Sequence, residues 1–256
     1  MIDIHCHILP GLDDGPNQVE ESLIMLEKAV EEGINTIVVT PHHNNAFKPS
    51  IEQIIKGRDK LQEIIYDKNI PISLILGQEI RIYGELLEDY INGKLFSVNK
   101  DSRYLLIEFD SSDVPKYSER LFYDMQCKGL IPIIVHPERN KKILKHPEIL
   151  YKFIQNGALS QITASSITGQ FGKKVQKFSF QLLKANLAHL VAGDAHDVSF
   201  RSFRMKAAFQ LVEKKLGGDY VQLLNSNAES VIANELVTVS EPTEIKETRF
   251  LRALHL

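Results

Sequence analysis

The chain opens Met-Ile-Asp-Ile-His-Cys-His, which sets His5 and His7 two residues apart in an apolar, β-branched run. Successive side chains on a strand alternate between faces, so both imidazoles share one face and Cys6 takes the other. Two neutral ring nitrogens side by side suit Zn²⁺, Mn²⁺ or Fe²⁺, and imidazole alone does not choose among them. Taken alone, the pair is equally compatible with two polar residues on a half-solvated edge strand. Its meaning depends on what else the chain brings to the same place.

Other segments converge on it. The apolar run 34–42 closes on His42, 72–79 on Glu79, 104–108 on Glu108, 131–136 on His136, and 187–196 on Asp194 and His196. Each has an ordinary explanation: a strand-end histidine satisfied by backbone, a glutamate paired with a helix, an aspartate serving as a cap. Together these explanations weaken, because clustered buried carboxylates repel one another and raise one another's pKa unless cations offset them. A metal centre is the reading that accommodates all of them.

Such a centre needs elements that carry every run to one end of the fold. The runs are short, nearly continuous in apolar residues and closed by Pro, Gly or a charge, as strands buried on both faces of a parallel sheet are. Between them lie helix-like stretches. Residues 17–32 place Val19, Leu23, Leu26 and Val30 on one face before Gly33, and 51–67, 118–127, 147–155, 173–185 and 203–216 read the same way. Counting 160–165 as a further strand gives about seven. The alternation predicts an α/β fold, a β/α barrel whose active site sits at the carboxyl ends of its strands. An open doubly wound sheet fits less well, because it gathers ligands mainly at one switch point.

The 256 residues match the roughly 250 typical of such barrels. No linker, repeat or low-complexity tract divides them, so 1–256 is expected to form one domain, with 241–256 a tail or last helix. A formal charge of −3 gives no general basic surface and disfavours nucleic-acid binding. No apolar run is long enough to span a bilayer, and a strand starting at Ile2 leaves no room for a signal peptide, so a cytoplasmic location without membrane insertion is expected. The two cysteines, Cys6 and Cys127, look like small buried hydrophobes rather than a disulfide framework.

The segments Asp3-Ile-His5-Cys-His7-Ile-Leu-Pro-Gly-Leu-Asp-Asp14-Gly, Thr40-Pro-His42-His, Gly77-Gln-Glu79-Ile-Arg, Leu106-Ile-Glu108-Phe, His136-Pro-Glu-Arg139 and Ala192-Gly-Asp194-Ala-His196 resemble a known family. It is the polymerase and histidinol phosphatase (PHP) group of metal-dependent phosphoesterases, and within it the bacterial tyrosine-protein phosphatases of capsule and exopolysaccharide clusters. The likeness covers nearly the whole chain. It implies a distorted barrel, a trinuclear site usually occupied by Mn²⁺, with Zn²⁺, Fe²⁺ or Mg²⁺ as alternatives, and a phosphorylated bacterial tyrosine kinase as substrate. Carried over by position, it implies His5, His7, Asp14, His42, Glu79, Glu108, His136, Asp194 and His196 as ligands, with Glu79 and Glu108 bridging. Three divalent ions against the carboxylates of Asp14, Glu79, Glu108 and Asp194 leave about two positive charges, which a hydroxide and a phosphate dianion would cancel.

The implied chemistry is attack on phosphorus by a metal-activated water, with a phenolate of conjugate-acid pKa near 10 leaving readily. Arg139 and Arg201, just beyond His136 and His196, are assigned to the substrate phosphate. A cysteine nucleophile is disfavoured, since an arginine six residues on is required and Leu12 and Ile133 stand there. Asp13, His43 and Asp3 are neighbours that could substitute for a ligand or orient one. Tyr83, Phe47, Phe109 and Phe171 are candidates for a phenyl-binding wall, whereas His146, His189 and His255 read as structural or surface residues. The competing functions are a histidinol-phosphate or other small-molecule phosphatase, a noncatalytic phosphotyrosine-binding module and, more remotely, a nuclease.

Overall fold

Every pairing between named strands is parallel, which obliges the chain to cross back between strands. The structure, a computed structural model, describes residues 1–245. Its strands are β1 (Ile2–Cys6), β2 (Thr36–Val39), β3 (His42–His43), β4 (Ser73–Leu76), β5 (Glu79–Arg81), β6 (Tyr104–Glu108), β7 (Ile131–Val135), β8 (Leu159–Thr163) and β9 (Leu190–Ala192). Helices α1 (Val19–Glu31), α2 (Ile51–Asp67), α3 (Leu86–Ile91), α4 (Ser118–Cys127), α5 (Lys141–Lys145), α6 (Glu148–Gln155), α7 (Ala164–Thr168), α8 (Lys173–Lys184), α9 (Met205–Leu216) and α10 (Gly218–Ile232) lie between and after them.

One sheet has the order β1-β2-β4 and the other β3-β5-β6-β7-β8-β9. Their ends meet at β1 and β9, where Asp194 N donates to His5 O (2.8 Å) and His7 N to Ala195 O (2.9 Å). Among the described residues nine strands therefore stand where about seven were expected, because the runs 34–42 and 72–79 each break in two. Pro41, which has no N–H to donate, separates β2 from β3. Gly77 and Gln78 separate β4 from β5, and a Cβ on Gly77 would lie 2.6 Å from Val38 Cγ1.

Alternation along the strands sorts the core into two layers. Ile37 and Val39 of β2, Leu105 and Ile107 of β6 and Ile134 of β7 join a cluster with helix residues such as Met25, Leu61, Met125 and Phe153. Val38, Leu106, Ile133 and Val135 face the other way and meet Ile4, Leu190 and Ala192, with Ala228 and Val231 of α10 against them. Both faces of the strands are thus apolar, which explains why the runs lack the polar half of a period-2 pattern.

α2 and α4 span the predicted residues, and α1, α6, α8 and α9 fall within two residues of theirs. α10 was not foreseen: Asp219, Asn225, Ser226, Asn227 and Glu229 dilute its apolar pattern. Residues 241–245 are not helical, and the remainder of the expected tail or last helix, with His255, lies outside the described residues.

Candidate metal centre

The carboxyl ends of β1, β6 and β7, the first residues of β3 and β5 just beyond the ends of β2 and β4, and the loops after β1 and β9 bring the nine implied ligands together. His5 and His7 are fully buried, and their rings are fixed from behind. His5 Nδ1 donates to Gln161 Oε1 (2.8 Å) and His7 Nδ1 to Asp13 Oδ2 (2.6 Å). In the neutral rings both Nε2 atoms are lone pairs, 3.1 Å apart and 3.4 and 3.3 Å from Glu79 Oε2.

Glu79 is the hub. His42 pairs with it in the β3–β5 register, and His42 Nδ1 lies 2.8 Å from Glu79 Oε2. His136 Nε2 lies 2.8 Å from Glu79 Oε1 and 3.9 Å from Glu108 Oε1. Arg81 Nε donates to Glu108 Oε2 (2.8 Å), so one oxygen of Glu108 is oriented from behind while the other faces the cluster. Asp14 Oδ1 lies 3.3 Å from Nε2 of both His42 and His196. Asp194 Oδ1 lies 3.6 Å from Nε2 of both His5 and His7.

Three overlapping groups present ligand atoms close enough to share ions: His7, Asp14, His42 and His196; His5, His7 and Glu79; and His42, Glu79 and Glu108. His136 and Asp194 stand outside these groups but touch them. The donor set fits cations on a second ground. Among the described residues Glu79 Oε2 and His196 Nε2 are buried without a hydrogen bond, the 2.8 Å approach of His42 Nδ1 to the former being misaligned for one, and such atoms cost free energy unless something satisfies them. Electrostatics agree. Burial works against a charge on His5 and His42, yet Glu79, Asp194 and Asp14 push their pKa values up to about 9 and about 11. Burial opposes charge on Asp194 too, but Arg139 and His5 keep its carboxyl well below the usual range. The cluster demands positive charge.

Two of the implied ligands sit in strained backbone. His136 (φ 35°) and Asp194 (φ 50°) share positive φ with glycines, four asparagines and Lys100 among the described residues, a conformation unfavoured for His and Asp that concentrates at functional sites. Glu138 secures the turn after His136, since its buried carboxylate accepts from Thr163 N (3.0 Å) and Ser166 Oγ (2.6 Å).

Both arginines reach the centre. Arg139 Nη1 donates to Asp194 Oδ2, and Arg201 donates to Asp14 Oδ2 (3.2 Å) and Asp194 Oδ1 (3.4 Å). The ambiguous neighbours separate cleanly. Asp13 is buried behind His7 and also accepts from His42 N (3.1 Å), whereas half-exposed Asp14 faces the cluster. Asp3 bonds no ring; it accepts from Gly193 N (2.8 Å) and His5 N (3.2 Å) and so ties β9 to β1. His43 points away and stacks on Tyr83 at 5.9 Å. Phe47 stacks on His42 at 6.3 Å, and Arg139 lies over the Phe171 ring at 4.9 Å.

Two expectations are corrected. Phe109 is core, packed with Phe122 and Phe153, because alternation turns it away from the face that Glu108 presents. Cys127 is exposed at the end of α4 rather than buried. Cys6 is buried, and burial drives its thiol pKa up, the reverse of what a nucleophile needs. Gln161 was missed; it lies in a strand that also carries Ser160 and Thr163, so its polar side chain gave no distinct signal.

Residues 1–233 match a family described as capsular polysaccharide synthesis, CpsB/CapC. The tyrosine-protein phosphatase YwqE of Bacillus subtilis (strain 168) is 44% identical over 250 residues, covering 97% of this chain and 98% of that protein. CapC of Staphylococcus aureus is 41% identical over 247 residues, covering 95% and 96%. A solved structure, described as YwqE from Bacillus subtilis and CpsB from Streptococcus pneumoniae, unique metal-dependent tyrosine phosphatases, matches with TM-score 0.94 and 45% identity over 96% of this chain and 100% of that one.

Proposed function

The chain belongs to the CpsB/CapC family of capsular polysaccharide synthesis, and from that membership we propose that it is a metal-dependent protein-tyrosine phosphatase. The observation that carries the reading is the convergence of nine metal-competent side chains with two arginines at one end of the strands. We assign His5, His7, Asp14, His42, Glu79, Glu108, His136, Asp194 and His196 as ligands of three divalent ions, Mn²⁺ first, and Arg139 and Arg201 to the substrate phosphate. The physiological substrate on this reading is a phosphorylated bacterial tyrosine kinase that governs capsule or exopolysaccharide synthesis.

Bound divalent ions would supply Lewis acidity toward the phosphoryl oxygens and a water of lowered pKa. The chain's own residues do the rest. Gln161 and Asp13 hold the Nδ1–H bonds of His5 and His7, so that both Nε2 atoms present lone pairs to the centre. Arg81 orients Glu108. Arg139 and Arg201, each about a quarter exposed, offer planar donors that match phosphate oxygens and stabilise charge as it builds. A tyrosyl leaving group departs as a phenolate and needs little protonation.

We read the fold as a distorted barrel of seven staves in one domain, 1–256. The backbone bonds joining β1 to the turn after β9 support it, as does an apolar layer shared by Ile4 and Val231. No helix among the described residues is long and apolar enough to cross a membrane, and the cysteines are free; both fit a cytoplasmic setting.

The test is phosphate release by metal-stripped protein from a phosphotyrosine peptide and from histidinol phosphate, with and without Mn²⁺, alongside Arg139→Ala and His136→Ala. Mn²⁺-dependent release from the peptide that both variants lose is the expected result. A preference for histidinol phosphate would make the chain a small-molecule phosphatase, and no turnover of either by metal-loaded protein would leave a binding module.

A further inference from the structure

Beside the metal centre a cleft of about 360 Å³ opens between the segments that follow β3 and β5, with His43, Lys48, Arg81, Tyr83 and Asp89 in its walls. It adjoins the centre directly, because His43 follows the ligand His42 and Arg81 donates to Glu108 (2.8 Å). The charges in its walls are unevenly satisfied. Arg81 is paired with Glu108 and with Asp110 Oδ2 (3.4 Å). Asp89 accepts from Tyr83 Oη (2.8 Å) and from Lys94 Nζ (2.7 Å), so a cation already offsets it. Lys48 has no carboxylate partner among the described residues, whereas Arg81 and Asp89 each have a partner of opposite charge.

The wall beside Lys48 is set by stacking: the His43 ring is held against Tyr83 at 5.9 Å and an interplanar angle of 23°. An unpaired ammonium beside this aromatic wall makes a receptor for one anionic side chain. The position beside the centre suits a residue close in sequence to the one whose phosphate reaches Arg139 and Arg201.

We propose that this cleft is a second subsite, which takes a carboxylate side chain of the substrate polypeptide next to its phosphotyrosine. The inference rests on the phosphotyrosine reading of the centre and adds a sequence preference to it: aspartate or glutamate flanking the modified tyrosine, read mainly by Lys48.

The experiment uses Mn²⁺-supplied protein and fluorescent peptides carrying a nonhydrolysable phosphonate analogue of phosphotyrosine, flanked by Asp, Asn or Lys, with affinity read by anisotropy. The Asp peptide should bind about two- to fivefold more tightly than the Asn peptide, the range of an exposed ion pair, and added salt should erase the difference. Lys48→Ala should abolish the preference, and Lys48→Glu should invert it toward the Lys peptide. Equal affinities for the three peptides, or an Asp preference that survives Lys48→Glu, would overturn the subsite. Hydrolysis of free phosphotyrosine, which has no flanking residue, reports separately on the hydrolase reading, so failure of one is not mistaken for failure of the other.

Discussion

The Nε2 atoms of His5 and His7 stand 3.1 Å apart, and in the neutral, metal-binding rings neither can donate to the other. Each ring has committed its proton at Nδ1, to Gln161 in one case and to Asp13 in the other, and the Glu79 carboxylate within 3.4 Å adds a third electron-rich group. A shared cation turns this repulsion into attraction. The carboxylate–histidine pair behind the site is therefore expected to set metal affinity. Asp13→Asn should weaken Mn²⁺ binding by about 10- to 100-fold, the usual effect of losing such an outer partner. Calorimetric titration checks it, and phosphatase activity should recover at high Mn²⁺.

Arg139 tests the assignment of the phosphate side. Its guanidinium spans Asp194 and the Phe171 ring, so its plane is set before substrate arrives. Arg139→Ala is expected to lower kcat/KM by about 10²- to 10³-fold, as loss of an oxyanion donor does. Arg139→Lys should restore little, because an ammonium lacks the planar fork. Metal content measured in parallel should match the native protein; a variant that loses its metal would reassign Arg139 to support of Asp194.

What could be read in the chain, and what could not, follows from how local each signal is. Strand ends carrying His, Glu or Asp are visible one by one, since the apolar run and the polar stop adjoin. Asp13 and Asp14 could not be told apart, because the turn that buries one behind His7 and exposes the other to His42 is closed by Gly15 N donating to Asp13 Oδ1 (3.0 Å) and by distant β3. Gln161 lies 156 residues from His5, and glutamine is no metal ligand, so only tertiary structure gives it a role. Phe109 was within reach: the alternation that put His5 and His7 on one face also turns the residue after Glu108 toward the helices.

The junction of β1 and β9 should be intolerant of a single methyl group. A Cβ on Gly193 would fall 2.3 Å from Asp3 Oδ2, and Asp3 is fully buried while accepting from the Gly193 and His5 amides. Gly193→Ala is expected to displace Asp3 and so loosen the junction between β1, which carries His5, and the turn after β9, which carries Asp194. It should cost about 1–3 kcal/mol of stability, as overpacking does, read as a lower urea midpoint, and should weaken Mn²⁺ binding. Unchanged stability would mean that Asp3 moves aside without loss.

His189 gives a pH signature independent of the metal centre. It is buried before β9, its Nδ1 accepts from Ser160 N (3.2 Å), and burial lowers its pKa to about 4 from the ordinary 6.5. The unfolded chain therefore binds a proton between those two values that the folded chain refuses, so stability falls as pH drops from 6.5 toward 4 and levels off below. At about 1.4 kcal/mol per unit, the loss from this residue alone amounts to a few kcal/mol. His189→Gln keeps an acceptor for Ser160 and has nothing to protonate. Its urea midpoint should be less sensitive to acid than that of the native protein over this window, while both keep the acid response of the remaining groups. Parallel curves for the two proteins would show that the cavity around His189 admits the charged ring at little cost.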